Sequence, residues 1–587
     1  MPLQRLSSSL VKHRGVTLKE YLDDLDTTVG YTLLKPNMTI DDLQVKLSEG
    51  GFFFFEEGSY TINKPITISK RTQIVAGKAS FTLSGVDYVF MLNGCKDFTL
   101  KGGTWGAESY ITDRPQVVMT SWGNGYQSFP TRVRIEDLNT IDCGIGNVLI
   151  NTQDGEIRAL FKENRIYGSD DIDAKSAHIS KQLLPFFNIE GAASTSLDIG
   201  TTRRNKVVFT DNLVNVAVQS KGNMDVGKIS GTLHGVKFDG NTVINRNVNG
   251  HAEVDFFTGG LKGFTSNNYF KNCAVKHMTL SGAMSPRVGL GGKNMITNNM
   301  FEFESNPLND FAILLRSSMT VVDSNVITYK GADSAVAQRT FNGILFKKSD
   351  VNQDGFGSNW CAGNIVSNNV IKLDIPDGLA EDFRVQTINP TDCTGCTFTG
   401  NMLYGGKDLV IDARPENMRN VWTGNYIASK HFTAKGIWRM SNAFIGSGNY
   451  IGSDINNATA GTKMLNKEIP YRAQGTVLTL SLDFPIKNPG VSDVAAYLLT
   501  VYTNGERRNR QTFLVTSGVH DAQSGYECID SRIDKNTTDA KWGQYVWKLG
   551  HDGSGYIKLT ANMPHSDTYA RPTSIDYMIT PISANLF

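Results

Sequence analysis

Two acidic residues that alternate with apolar ones form the most promising catalytic pair in the sequence. They lie in the segment Ala252-Glu-Val-Asp-Phe256, and side chains on a β-strand alternate between its two faces. If Val254 and Phe256 point into a core, Glu253 and Asp255 both point outward. Acids at i and i+2 have Cβ atoms roughly 6.6–7 Å apart, and inverting glycosidases hold their carboxyl groups about 6.5–9.5 Å apart. The spacing therefore predicts a general acid and a general base for glycoside hydrolysis.

Mutual repulsion in such a pair raises the pKa of one carboxyl, which places a proton donor beside an ionised base. We predict Glu253 and Asp255 as the catalytic residues, with Glu190 as a third acid. The alternative is an exposed strand face that simply carries charge, as most do. Glu302 and Glu304 also alternate outward, but they follow Asn299, where the chain is expected to bend between two strands. They are therefore predicted on a different face.

Substrate-binding side chains are predicted by aligning the segment 252–256 with comparable strands of the sequence, such as His277-Met-Thr-Leu280 and Phe311-Ala-Ile-Leu-Leu-Arg316. The outward positions of this alignment include three residues suited to an acidic sugar: His277, Arg316 and Arg384. Acids on an insertion could contribute from a loop: Asp170, Asp171 and Asp173. A lyase would instead need a base beside a charge-neutralising cation, which His277 with Arg316 or Lys276 would supply. The residues leave hydrolase and lyase open, and they predict no metal and no cofactor.

A short repeat between residues 207 and 450 must position these side chains. Each copy reads apolar, any, small or polar, Asn, any, apolar, as in Phe209-Thr-Asp-Asn212-Leu-Val. The repeated Asn occupies these positions: Asn212, Asn241, Asn268, Asn299, Asn325, Asn369, Asn401, Asn425 and Asn449. Repeats of about 20 to 50 residues are typical of solenoids. The copies alternate with period two and are rich in β-branched and aromatic residues, which favours strands over helices.

The repeat predicts a right-handed parallel β-helix with one coil per copy. Asn tolerates the left-handed backbone conformation and bonds its own backbone, so we expect it at the bend between two strands. Stacked coils would place these side chains about 4.8 Å apart in a ladder of amides. We therefore assign the Asn column to the scaffold.

Composition excludes several classes of protein. Of the 587 residues 20% are charged and the net charge is +1, so nothing indicates nucleic acid as a partner. The sequence contains no apolar run of the roughly 18 residues that span a bilayer, and no signal peptide is predicted. The seven cysteines are scattered and odd in number, which indicates a protein that is made in a reducing cytoplasm and keeps its thiols free. Cys393 and Cys396 form a lone C-x-x-C, which we interpret as structural.

Further segments flank the coil. Residues 1–30 lack a core and are predicted as a short docking segment, with a helix around Leu18–Leu25. Residues 31–110 are predicted as an amino-terminal cap, in which Thr39 begins a helix that runs to Ser48 before several short strands. The coil proper takes residues 111–455. The composition changes after Gly452, and residues 465–587 are predicted as a separate all-β unit of the sandwich type.

Together these features resemble a bacteriophage tailspike, of the pectate-lyase-like β-helix type that depolymerises capsules or O-antigens. The resemblance covers nearly the whole chain and rests on architecture, since the catalytic strings of pectin-cleaving enzymes are absent. It implies a virion protein that forms a homotrimer and cleaves a bacterial surface polysaccharide. It also implies attachment to the phage tail or another tailspike through the first residues, and a carboxy-terminal domain that trimerises or binds glycan. A non-catalytic adhesin and a structural spike remain alternatives.

Overall fold

A computed structural model describes residues 30–587 apart from several segments. These are 122–128, 152–157, 180, 193–205, 221–222, 232–235, 259–262, 279–293, 305–309, 332–339, 348–360, 375–383, 391, 406–419, 429–442, 446–449, 453–462, 469–476, 486–494, 505–508, 518–524, 533–547, 552–555, 563–573 and 584–587. The chain divides into two compact units. The first comprises Met1–Thr320, Thr328–Gln338 and Ser349–Asn359, and the second comprises Val321–Ile327, Arg339–Lys348 and Trp360–Phe587.

The predicted cap helix, Ile40–Ser48, follows the first described strand, Tyr31–Leu34. Thr39 and Asp42 form a reciprocal capping box, in which the Asp42 N–H donates to Thr39 Oγ1 at 3.2 Å. The helix packs on the strand Ile66–Ile68, where Gln44 bonds both backbone groups of Thr67. A second, short helix is Ile172–Lys175. In the described ranges no helix has the length and apolar character needed to cross a membrane.

Parallel strands of the first unit form three stacks, which we call sheets 1 to 3, because successive coils contribute strands in turn; two long strands join sheets 1 and 2 into one continuous sheet. Sheet 1 contains Tyr31–Leu34, Gly51–Phe55, Thr72–Leu83, Asp97–Ala107, Arg132–Glu136, Arg158–Lys162, Lys206–Thr210, Val236–Asp239, Phe264–Ser266 and Met295–Thr297. Sheet 2 contains Ser59–Ile62, Asn139–Ile141, Arg165–Tyr167, Leu213–Val216, Thr242–Asn245, Tyr269–Lys271 and Met300–Phe303, and shares the two long strands Thr72–Leu83 and Asp97–Ala107 with sheet 1. Sheet 3 contains Ile66–Ile68, Tyr88–Leu92, Gln116–Thr120, Gly144–Asn151, Phe187–Ala192, Asn223–Gly231, His251–Thr258, Ala274–Met278 and Phe311–Arg316. This is the predicted right-handed parallel β-helix.

The asparagine ladder is present, as predicted. In the first unit each side-chain amide donates to the carboxamide oxygen of the next rung at 2.8–3.0 Å, in the order Asn164, Asn212, Asn241, Asn268 and Asn299. The expected backbone conformation was wrong by one residue. The left-handed residue is the one before each ladder Asn, for example Asp211 at φ 57° and Asn267 at φ 57°. The ladder Asn itself is held in place by its bonds to the coils above and below.

The second unit continues the same repeat in its own strands. These are Val321–Asp323, Thr340–Phe346, Cys361–Ala362, Ile365–Ser367, Val370–Asp374, Arg384–Asn389, Cys393–Thr394, Thr397–Thr399, Met402–Gly405, Asn420–Thr423, Tyr426–Ala428, Ala443–Ile445 and Tyr450–Gly452, while Val326–Lys330 spans the division between the units. An amide ladder joins Asn325, Asn369, Asn401 and Asn425. Cys393 and Cys396 are buried in this unit.

The carboxy-terminal part of the second unit folds into two antiparallel sheets. The five-stranded sheet contains Lys463–Glu468, Ser574–Ser583, Ala495–Asn504, Asn509–Ser517 and Gly525–Arg532, and the three-stranded sheet contains Val477–Pro485, Tyr556–Asn562 and Lys548–His551. Two of these strands, Lys463–Glu468 and Gly525–Arg532, are not marked by the sequence pattern. Both carry several charged or polar residues, which hides the alternation that marks a strand.

Candidate functional site

The predicted acid pair lies in the sheet 3 strand His251–Thr258. Phe256 in this strand packs edge-on against the core ring of Phe238, with ring centroids 5.5 Å apart. Because side chains alternate along a strand, Glu253 and Asp255 face away from the core, on the outer face of sheet 3. The orientation that the sequence predicted for this pair is therefore confirmed.

Register brings a lysine to each side of Asp255. The strand Asn223–Gly231 pairs Lys228 with Asp255, and the strand Ala274–Met278 pairs Lys276 with Asp255. The first pairing is irregular before Gly227, where a Cβ atom would overlap the ring of Phe187 at 1.8 Å. Glycine at this position lets the ring fill the core, and the pairing resumes from there to Lys228.

Four side chains form what we call the charged cluster: His251, Glu253, Asp255 and Lys276. The Lys276 ammonium donates to Glu253 Oε1 at 3.1 Å and to Asp255 Oδ2 at 3.3 Å. His251 Nε2 lies 3.2 Å from Glu253 Oε2. One cation therefore bridges both predicted catalytic carboxylates, and an imidazole contacts the other oxygen of Glu253.

The charged cluster is buried, although it lies on the outside of the coil. The side chains of Glu253 and Asp255 are 4% and 3% exposed, while that of Lys276 is 18% exposed. This burial does not fit the alternative of an exposed strand face that simply carries charge. The strand pattern shows which way a side chain points, but it does not show that an outward face is covered.

The electrostatics of the cluster favour the ionised carboxylate. Burial raises the pKa of Glu253, but the hydrogen bond from His251 and the charge of Lys276 outweigh it, so the pKa lies below its ordinary value. Burial disfavours the charged form of Lys276 and so lowers its pKa. The charges of Glu253 and Asp255 outweigh that effect, so the pKa of Lys276 lies above its ordinary value. Glu253 and Lys276 are thus a charged pair at neutral pH.

His277 does not belong to this face, and its predicted substrate-binding role lacks a structural basis. Register pairs it with Phe256, and the two rings stack inside the coil with centroids 4.6 Å apart. Its Nε2 lies 3.3 Å from Thr265 Oγ1, and burial lowers its pKa to about 3. The sequence alignment was off by one residue at this strand, and a shift of one residue exchanges the two faces.

Glu190 and Arg316 lie on the outer face of sheet 3 but apart from the charged cluster. Glu190 pairs with Ser230, which in turn pairs with Phe257, so it lies two strands from the acid pair. Strands are about 4.8 Å apart, which puts Glu190 about 10 Å away across the sheet. Arg316 pairs with Met278, one strand beyond Lys276 on the opposite side.

The remaining predicted binding residues lie elsewhere. The acids of the insertion bond neighbouring protein groups: Asp170 with Arg246, Asp171 with Ser169 and Lys175, and Asp173 with Ser220. These contacts fix the helix Ile172–Lys175 against the coil. Arg384 begins the strand Arg384–Asn389 of the second unit, and its side chain lies outside the described part.

The second acid pair, Glu302 and Glu304, is on another face, as predicted. Glu302 lies in the sheet 2 strand Met300–Phe303 and accepts a hydrogen bond from Tyr269 Oη at 2.7 Å. Glu304 pairs with Lys271 at 2.7 Å. These contacts involve more exposed groups than the charged cluster and make sheet 2 a useful reference face.

Sequence reasoning missed His251 as a member of the site and named Lys276 only as a lyase alternative. His251 precedes Glu253 by two residues, so the alternation that selected the acid pair also selects it. Lys276 was identified by pairing register, which a single sequence does not give. No group of three or more metal-ligating side chains suitable for an ion occurs within the described ranges.

Comparison with known proteins gives matches among solved structures only. No family model and no curated protein matches the chain. The tailspike of Acinetobacter baumannii phage AM24 is 9% identical over 93% of this chain and 80% of that chain, with a TM-score of 0.31. The tailspike of Acinetobacter phage vB_ApiP_P1 is 12% identical over 93% and 84%, with a TM-score of 0.24. The tailspike of Escherichia coli bacteriophage HK620, in complex with a pentasaccharide, is 9% identical over 97% and 96%, with a TM-score of 0.42. All three are phage tailspikes.

Proposed function

We propose that this chain is a phage tailspike that binds and cleaves a bacterial surface polysaccharide, either a capsule or an O-antigen, on the outer face of sheet 3. The observation that carries the proposal is the charged cluster. Removing an ionised group from water costs several kcal/mol, and the coil already has an apolar core on its inner side. Buried groups with perturbed pKa values concentrate at functional sites.

We propose glycoside hydrolysis as the reaction. In the inverting route one carboxyl protonates the leaving oxygen, and the other removes a proton from the attacking water. Glu253 and Asp255 lie at i and i+2 of one strand with Cβ atoms about 6.6–7 Å apart, and Lys276 contacts both carboxylates. One of the two must take up a proton before the bond breaks, because Lys276 stabilises the ionised form.

A polysaccharide lyase is the second candidate, and the His251–Glu253 contact favours it. β-Elimination needs a base to remove the proton next to a sugar carboxylate and a cation to stabilise the charge that develops. His251, oriented by Glu253 beside Lys276, has that arrangement. His277 cannot take this role, because it is stacked in the core.

The rest of the proposal concerns binding and assembly. Glu190 and Arg316 are proposed to contact sugars on the same outer face. We propose a homotrimer located in the virion, with the first residues attached to the phage tail or to another tailspike. The carboxy-terminal sheets are proposed to drive trimerisation or to bind glycan.

The test is incubation with capsules and O-antigen chains extracted from a panel of bacterial strains. Hydrolysis would shorten one polymer and release new reducing ends, whereas elimination would also create an unsaturated product that absorbs ultraviolet light. Retention of a polymer without shortening would identify an adhesin. If the folded protein retains no polymer and cleaves none, the proposed function is contradicted.

A further inference from the structure

We propose that the outer face of sheet 3 selects acidic polysaccharides, with Lys276 pairing with the acidic group of a sugar and Lys228 as a second cationic contact. This inference rests on the proposed function, because it names the class of polymer that the same site takes. It identifies two lysines on the outer face of sheet 3 as the residues that determine specificity.

The first argument is which charges a ligand meets. Among the sheet 3 strand residues with described side chains, those that point outward and are half-buried include three cations and one acid: Lys228, Lys276, Arg316 and Glu190. The acids Glu253 and Asp255 lie beneath this layer, at 4% and 3% exposure. Among these described side chains the accessible charge is therefore cationic, although the set contains three acids and three cations in all.

The second argument is position. Lys228 and Lys276 are in register on the two strands that flank Asp255, so their backbones lie about 10 Å apart across the sheet. One lysine therefore lies on each side of Asp255, one of the predicted catalytic acids. An anionic sugar group near the scissile bond would thus lie within reach of one lysine or the other, since lysine has a long, flexible stem.

The third argument links recognition to chemistry. Lys276 is the most exposed member of the charged cluster, and it also bridges both carboxylates. An anionic group that pairs with its ammonium weakens its hold on Glu253 and Asp255. Repulsion between two carboxylates then favours the uptake of one proton, which creates the acid and base that hydrolysis needs.

The resulting step is balanced. The protonated carboxyl gives its proton to the glycosidic oxygen as the bond from that oxygen to the anomeric carbon breaks. The oxygen of a water molecule bonds to the anomeric carbon, and the ionised carboxylate accepts the proton that the water loses. The products are two shorter chains, one with a new reducing end, and a carboxyl pair that again carries one proton.

The decisive experiment compares one polymer in two forms. The capsule or O-antigen chain that the protein cleaves in the strain panel is treated with carbodiimide and borohydride, which converts its carboxylates to neutral alcohols. We expect the cleaved polymer to contain an acidic sugar, and its reduced form to lose at least about a hundredfold in kcat/KM. Added salt should weaken binding of the native form, because these charges are partly exposed.

Two lysine variants locate the effect. Lys228→Gln should raise KM about tenfold with little change in kcat, whereas Lys276→Gln should lower both binding and turnover. Lys271→Gln is the matched control, because Lys271 pairs with Glu304 on sheet 2 and should leave both constants unchanged. Should Lys276→Gln fail to fold, Lys228→Gln and the reduced polymer still test the inference.

The outcomes separate this inference from the proposed function. Equal cleavage of native and reduced polymer, or cleavage of a neutral polymer, would overturn the acidic specificity and leave the proposed function standing. Absence of binding and cleavage across the panel would count against both. Loss of cleavage on reduction together with an effect of Lys228→Gln would support the inference.

Discussion

At the residue scale, the acid pair shows what a strand pattern can and cannot predict. Alternation correctly assigned Glu253 and Asp255 to one face, because side-chain direction on a strand follows from local geometry alone. It could not predict that the face is covered, nor that Lys276 on the next strand bridges both acids. His277 was misassigned because its face depends on register between coils, which a single sequence does not fix.

The first prediction concerns the two carboxylates. Glu253→Gln and Asp255→Asn keep the shape of each side chain but remove its ability to ionise. Each change should lower turnover by about 10²–10⁴-fold, the usual contribution of general acid–base catalysis. Turnover on the polymer found in the strain panel is the measurement. Because both acids are buried against Lys276, each variant should also lose about 1–3 kcal/mol of stability.

The control for this pair is Glu302→Gln on sheet 2, which should retain normal turnover. Circular dichroism and melting curves would show that each variant is folded. Near-normal turnover in both Glu253→Gln and Asp255→Asn would mean that the charged cluster is structural.

The second prediction concerns His277 and the acid side of the stability profile. Its pKa is about 3 in the fold, whereas that of an unfolded histidine is about 6.5. Below pH 6.5 the unfolded chain binds a proton that the folded chain does not, so stability falls as the pH falls. Between pH 6.5 and 5 this one group should cost about 2 kcal/mol.

The measurement is denaturant unfolding of the wild type and of His277→Leu across that range. The variant should be less stable at pH 7, because it loses the contact with Thr265, but its stability should fall less steeply below pH 6.5. Parallel profiles would show that the histidine is protonated within the fold.

At the element scale, the repeat was the most predictable feature of the chain. The Asn column was enough to predict the coil and the amide ladder and to assign these residues to the scaffold, because each rung is repeated and bonds its neighbours directly. The left-handed residue was misplaced by one position, since the residue before the ladder Asn is usually Asp, Asn or Gly, which also tolerate that conformation. The polar strands of the carboxy-terminal sheets were missed because their pattern is weak.

The third prediction tests the ladder at Asn241. Its carboxamide oxygen accepts from both the backbone N–H and the side-chain amide of Asn212, at 3.0 and 2.9 Å. Asn241→Ala removes this shared acceptor and leaves the buried backbone N–H of Asn212 without it. The loss should be about 2–4 kcal/mol, seen as a lower melting temperature and denaturation midpoint. Asn249→Ala, at an exposed position, is the control and should change little; equal stability of the two variants would contradict a structural ladder.

At the scale of the whole molecule, apolar side chains on the outer surface of each unit bear on assembly. In the first unit, sheet 2 pairs Tyr269 with Met300, which is 44% exposed, and Phe264 on sheet 1 is 38% exposed. In the second unit the register aligns Val370, Met402 and Tyr426, with Met402 47% exposed. Columns of exposed apolar side chains along a solenoid are typical of a surface that associates.

The last prediction is that the chain is a trimer held in part by these columns. Light scattering should give three times the chain mass of 64.5 kDa. Met300→Glu would place a charge in the interface. A poorly paired buried charge costs about 3 kcal/mol, so association should weaken more than a hundredfold. Val45→Glu changes an equally apolar residue, 61% exposed on the cap helix, and should leave the trimer intact. A monomeric wild type would exclude any site shared between subunits, whereas a trimer that withstands Met300→Glu would place the interface on another surface.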